Sequence, residues 1–157
     1  MGRYYTSNNS GEQGKFWFGV QSSSDVEDVY GMTMVEPPMD EDWDGYGEWW
    51  ADYDTDDTQY VIDQLNKQYD ILGVPQEERI YEYEEDKLGD YIWNTLAKYF
   101  MTDVQIGKAI GYAMGEGKPT MYPISKEKEL AASRVDLGLF ILNDIKHYGV
   151  SSINAEF

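Results

Sequence analysis

SKEKELAASRVDLGLFILNDIKHYGVSSINAEF, residues 125–157, holds the two elements that decide the fold. Ser125 stands where a helix cap belongs, and Leu130, Leu137, Phe140, Ile141 and Ile145 recur at helical spacing, which predicts a helix to about Tyr148. Gly149 fits the position just past such a helix, where glycine enters the left-handed region without a Cβ penalty. Val150 to Phe157 then reads as a strand that closes the chain.

A closing strand needs a partner, and the strongest signal lies near the other end. Lys15 to Gln21 (KFWFGVQ) is rich in aromatic residues and includes the β-branched Val20. Three consecutive aromatics predict burial on both faces, hence a central strand. Arg3 to Thr6 offers a further short strand, joined to it by the turn-rich residues 7–14. Pairing of the terminal strand with Lys15–Gln21 would tie both ends of the chain into one sheet.

Between these ends the sequence reads mostly as helix. Ser24 and Glu27 form a capping box for a short helix that Gly31 stops, and Met32–Val35 reads as a strand closed by Pro37 and Pro38. Thr58 to Leu72 carries the stripe Val61, Ile62, Leu65, Tyr69 and Leu72, capped by Asp56 or Asp57 and ended by Gly73. Arg79 to Glu84 alternates like a strand, with a helical start as the competing reading. Asp86 to Phe100 places Leu88, Tyr91, Ile92, Leu96 and Tyr99 at helical spacing. A second capping box, Thr102 with Gln105, opens a helix through Met114 that Gly115 and Gly117 end. The fold expected is α+β: one domain over residues 1–157, with a small antiparallel sheet that includes the N- and C-terminal strands, packed with about four helices.

The totals narrow the partners. With 12 Lys+Arg against 30 Asp+Glu the net charge is −18, which disfavours direct binding to DNA or RNA through counterion release. Such a field attracts basic surfaces instead. The chain is 41% hydrophobic and 15% aromatic, too apolar for a disordered acidic tail. Cysteine is absent from the sequence, so a disulfide framework, a thiolate metal site and a cysteine nucleophile are all excluded. No window approaches a membrane span, and the opening residues lack the apolar region of a secretory signal. Met1-Gly2 with Thr6 fits the start of a myristoylation pattern, but a polybasic second signal is missing. No membrane partner is expected.

The charge is concentrated. From Phe16 to Asn66 there are fourteen Asp or Glu residues and not one Lys or Arg. Within this run, residues 36–57 (EPPMDEDWDGYGEWWADYDTDD) show no regular apolar period and are expected to be irregular, with the aromatics packed back on the body. Spaced carboxylates can imitate the charge of a nucleic-acid backbone, and aromatics among them can anchor a partner. The candidate partner-binding residues are Asp40, Glu41, Asp42, Asp44, Glu48, Asp52, Asp54, Asp56 and Asp57 for charge, with Trp43, Trp49 and Trp50 as anchors. A solvated acidic face that serves only solubility explains the same residues.

Other constellations are weaker. Asp40, Asp42 and Asp44 with Gly45 begin like a calcium loop, but the twelfth position is Ala51 instead of Glu. Asp52, Asp54 and Asp56 reach Asp63 at the twelfth position, but the sixth is Asp57, where the turn needs glycine. His147, the single histidine, sits at the end of the last helix, where a cation is favourable without any catalytic role. Thr102 to Gly111 lacks a following recognition helix, and Gly115-Glu-Gly-Lys118 lacks P-loop spacing. No metal, cofactor or catalytic residue is expected.

GRYYT, GKFWFGVQSSSD and YGM near the start, with ASRVDLGLFILNDIKHYGVSSINAEF at the end, resemble small uncharacterised proteins of bacteriophage and environmental viral sequences. The resemblance covers about 25 residues at each end and carries no known activity. It implies a viral origin, with the host cytoplasm or a virion as location. Together with the charge, the expectation is a non-enzymatic viral interaction protein that inhibits a host nucleic-acid-binding or defence protein through a nucleic-acid-mimicking surface. A virion or accessory structural protein, and a small-molecule or nucleotide-binding protein, are the competing classes.

Overall fold

The computed structural model describes residues 4–17, 20–22, 25–31, 48–84, 87–101 and 124–156, with backbone alone at 48–52 and 154–156. Its elements run β1 (Tyr4–Ser7), β2 (Gln13–Lys15), α1 (Asp25–Asp28), β3 (Glu48–Asp54), α2 (Thr58–Leu72), α3, α4 (Lys126–Tyr148) and β4 (Val150–Glu156). Here α3 denotes three abutting segments: Leu88–Asp90, a π-helical stretch Tyr91–Leu96, and Ala97–Phe100. The strands form one antiparallel sheet in the order β2-β1-β4-β3. The fold is thus α+β, with the N- and C-terminal strands side by side in a four-stranded sheet.

The period of two along each strand sets the buried face. Tyr5 and Ser7 of β1, Ser151 and Ile153 of β4, and Tyr53 of β3 are all buried. In the β3–β4 register Tyr53 lies opposite Ser151 and Ala51 opposite Ile153. Against this face lies α4, which is buried on nearly every side: Val135, Leu137, Leu139, Ile141 and Ile145 all face protein. A helix apolar all round belongs in the middle of a core, and α4 is covered by β3 and β4 on one hand and by α2 and α3 on the other. Its close fit shows at Gly138, where an added Cβ would stand 2.2 Å from the Tyr30 hydroxyl oxygen.

Local signals set both long helices. α2 spans Thr58–Leu72 as its stripe predicts, and Gly73 takes φ 78° to accept the left-handed turn. Ser125 caps α4 by accepting a hydrogen bond from Lys128 N–H, and Gly149 ends it at φ 73°. Each buried Leu or Val on these stripes contributes about 1.5–3 kcal/mol. No helix among the described residues is long and apolar enough to cross a membrane.

Five expectations need correction. Lys15–Gln21 is not a central strand: β2 stops at Lys15 and is the edge of the sheet. The chain turns instead, with Gln21 N–H donating to Trp17 C=O at 2.9 Å, and Phe16 reaches the core from beside the sheet through an edge contact on Tyr5. Aromatic density signalled burial, and a turn can deliver burial as well as a strand does. Consequently the terminal strand pairs with β1 and β3 and never with Lys15–Gln21.

The stretch 36–57 is not irregular throughout, because Glu48–Asp54 forms the seven-residue strand β3. Arg79–Glu84 forms neither strand nor helix. There the Tyr69 hydroxyl accepts from Ile80 N–H at 3.2 Å and donates to Ile80 C=O at 2.7 Å, so one side chain satisfies backbone groups that a neighbouring strand would otherwise pair. The cap ahead of α2 also differs. Asp54 accepts from Asp56 N–H, opening a 3-10 turn (Thr55–Asp57), while Asp57 returns its carboxylate to Asp54 N–H. Met32–Val35, Ser24, and Thr102–Met114 lie outside the described residues.

Candidate functional site

The acidic candidates divide by position. Asp40, Glu41, Asp42, Trp43 and Asp44 lie outside the described residues. Glu48, Trp49, Trp50 and Asp52 stand on β3, which lies at the edge of the sheet among the described strands, hydrogen-bonded to β4. Backbone alternation groups residues 48, 50, 52 and 54 on one face of that strand and 49, 51 and 53 on the other. Asp54 and Asp56 are exposed and Asp57 is half-buried. Asp54 and Asp57 are also committed to capping, so part of the acidic run has a structural duty. None of the ion pairs among the described residues uses these three aspartates. The register sets Glu48 opposite Glu156, adding a further acidic position beside the strand.

A second feature was not singled out from the sequence. A cavity of about 790 Å³ opens between β1–β2, the turn after β2, α3 and α4. Tyr5, Phe16, Trp17, Ile92, Trp93 and Phe140 give it an aromatic and apolar wall. Tyr5 packs edge-on against both Phe16 and Phe140, with centroids 5.0 and 4.9 Å apart. The Trp17 and Trp93 rings lie parallel within 6° at 6.1 Å, and Trp93, on the π-helical turn of α3, is 38% exposed. Insertions of π-helix frequently mark functional sites, because the extra residue re-aims a side chain.

The polar groups of the wall are mostly acidic: Glu12, Glu129 and Asp136. Trp17 Nε1–H donates to Asp136 Oδ2 at 3.1 Å. Among the described residues no second donor reaches that carboxylate and no cation pairs with it. Burial pushes the Asp136 carboxyl up to about 6, against the opposing pull of the indole N–H. Burial raises Glu129 too, with Lys126 pulling the other way. Tyr83, also on the wall, stays neutral: burial raises its hydroxyl, and the fields of Glu12, Asp136 and Asp144 add to the effect. Lys15, the one lysine of the rim, holds its ammonium over the Tyr4 ring, 5.9 Å from the centroid.

Other buried acids are satisfied and structural. Asp25, 3% exposed, takes a forked pair of bonds from Arg134 at 3.1 and 3.2 Å, which ties α1 to α4. Asp144 accepts from Ser7 Oγ at 2.7 Å and Ser151 Oγ at 3.0 Å, linking α4 to both central strands. His147 is exposed at the end of α4, and no group of three or more metal-binding side chains gathers among the described residues.

Asp136 did leave a trace in the sequence. It is a lone acid inside the run AASRVDLGLFIL, where a charge on a core helix demands a reason. Trp17 and Trp93 left none, since their meeting depends on how α3 packs. No protein-family model matches the chain, and comparison with curated proteins and with solved structures yields no match.

Proposed function

We propose that this is a non-enzymatic interaction protein of viral origin that inhibits a host nucleic-acid-binding or defence protein by presenting acidic surface in place of nucleic acid. The observation that carries the reading is the placement of the charge: the acidic run continues onto the strand that is outermost among the described ones and out through the exposed Asp54 and Asp56. An edge is the part of a sheet that another molecule can approach along its length. Alternate strand residues repeat at about 6.6 Å, close to two axial steps of about 3.4 Å along one DNA strand. Backbone positions 52 and 54 therefore repeat at about the axial spacing of every second phosphate on one strand. The absence of any Lys or Arg from Phe16 to Asn66 leaves this field uncompensated along the sequence. Such a protein would act in the host cytoplasm, on a basic cleft.

The test is capture from host lysate by the native chain and by a variant carrying Glu48→Gln, Asp52→Asn, Asp54→Asn, Asp56→Asn and Asp57→Asn. Asparagine at 54 keeps an oxygen for the cap, so the fold is preserved. The native chain should retain nucleic-acid-binding proteins, release them as salt rises from about 0.05 to about 0.3 M, and be displaced by added DNA or RNA. The variant should retain none. Equal capture by both chains would show that the acidic edge is only a solvated face.

A further inference from the structure

We propose that the cavity walled by Trp17, Trp93 and Asp136 is a binding site for an organic ammonium ion, whose apolar body lies against the indoles and whose N–H groups meet the Asp136 carboxylate. This goes beyond the interaction surface described above and does not depend on it.

Three observations converge. The first is size and wall chemistry. About 790 Å³ falls in the range of small-molecule sites, and Phe16, Ile92 and Phe140 make the body of the cavity apolar. The second is an incomplete carboxylate. Among the described residues Asp136 receives one hydrogen bond, at Oδ2, although two oxygens can accept about four. Elsewhere on the same helix, Asp144 has two hydroxyl donors, and Asp25 facing it has a guanidinium. Glu129 of α4 shares the wall, but Asp136 is the acid there that binds an indole N–H and has no cation among its described partners. A half-buried carboxylate with one described donor gains from a cation that brings its own hydrogen-bond donors.

The third is the aromatic pair at the mouth. Trp17 donates its N–H to Asp136 and so fixes its ring beside the carboxylate, and Trp93 lies parallel to it at 6.1 Å. Indole faces attract cations, most strongly where water is excluded. Glu12 and Glu129 extend the negative field around the cavity, which selects against anions such as nucleotides. The chemistry recognised is therefore a primary ammonium on an aromatic or branched aliphatic body, not a phosphate and not a bare metal ion.

Phenethylammonium tests this on the full chain, with 2-phenylethanol as a neutral probe of nearly the same shape. Binding is read by calorimetry and by quenching or shift of tryptophan fluorescence. The ammonium should bind at least roughly tenfold tighter than the alcohol, since the alcohol leaves the carboxylate uncompensated. Asp136→Asn should reduce ammonium affinity by a similar factor while leaving the alcohol unchanged, and Trp93→Ala should weaken both probes. Should either variant fail to fold, the two probes on the native chain still decide the matter. Equal affinity for the two probes, or no binding of phenethylammonium up to about 10 mM, overturns the proposal.

Discussion

Replacing Asp136 by asparagine should make the protein more stable at neutral and alkaline pH, and the gain should depend on pH in a defined way. Burial raises the Asp136 pKa from 3.8 to about 6. Unfolding returns the group to its ordinary value, so between pH about 4 and about 6 the folded state keeps a proton that the unfolded state has released. Stability is lost as pH rises through that window, and above about 6 the whole cost is present. Two units at about 1.4 kcal/mol each set an upper bound near 3 kcal/mol, and solvent in the cavity screens the charge, so about 1–3 kcal/mol is expected. Near pH 4.5 only about a third of the cost remains, because the folded carboxyl is then almost fully protonated. Asparagine keeps an oxygen for the Trp17 N–H and turns its amide nitrogen toward the cavity solvent. The tyrosines Tyr5, Tyr30 and Tyr83, whose fields meet Asp136, stay neutral throughout this range, and Glu12, Lys15 and Glu129, which line the same cavity, are common to both proteins. Urea denaturation followed by tryptophan fluorescence, at steps from about pH 4.5 to about pH 8, gives the difference between the two proteins. Asp144 and the surface acids titrate in both and cancel. The gap should widen about threefold over that span. A gap that stays flat, or a variant less stable than the native chain at pH 8, would refute the account of Asp136 as a desolvated charge.

Glycine positions give a paired prediction. Gly138→Ala places a Cβ 2.2 Å from the hydroxyl oxygen of Tyr30, a ring only 1% exposed with nowhere to move, and should cost about 2–4 kcal/mol despite better helix propensity. Gly89→Ala, which meets nothing within 4 Å, should be neutral or stabilising by up to about 1 kcal/mol, and thermal melts of the two will distinguish them. Asp144→Ala leaves the hydroxyls of Ser7 and Ser151, both fully buried, without their acceptor, and should lower stability by about 2–5 kcal/mol in denaturant titration. Asp144→Asn, which keeps one acceptor oxygen, should lose roughly half as much.

Much of the secondary structure was legible because its causes are local. The helix Thr58–Leu72 needed only its stripe and the glycine behind it, and α4 needed Ser125 at one end and Gly149 at the other. Strand identity was harder. KFWFGVQ has the composition of a central strand, yet the chain leaves the sheet at Lys15 and turns at Trp17. RIYEYE alternates like a strand, yet the backbone groups of its Ile80 are paired by the hydroxyl of Tyr69. EWWADYD, set in a tract without apolar period, is a seven-residue strand at one end of the sheet among the described strands. In each case the deciding partner lies elsewhere in the chain, beyond the reach of composition or period.

By itself, then, the sequence determined the two long helices, the strand at each end of the chain, and a net charge of −18 with its long stretch free of basic residues. These follow from capping chemistry, from the 3.6-residue period and from simple counting, and none requires knowledge of what packs against what. Only the tertiary structure decided that β4 lies between β1 and β3, that α4 is enclosed on nearly all sides, and that Trp17, Trp93 and Asp136 meet around one cavity. A strand's place depends on which remote backbone takes its hydrogen bonds. A carboxylate's proton affinity likewise depends on its surroundings, and Asp136 shares its cavity with residues of β1, the turn at Trp17 and α3.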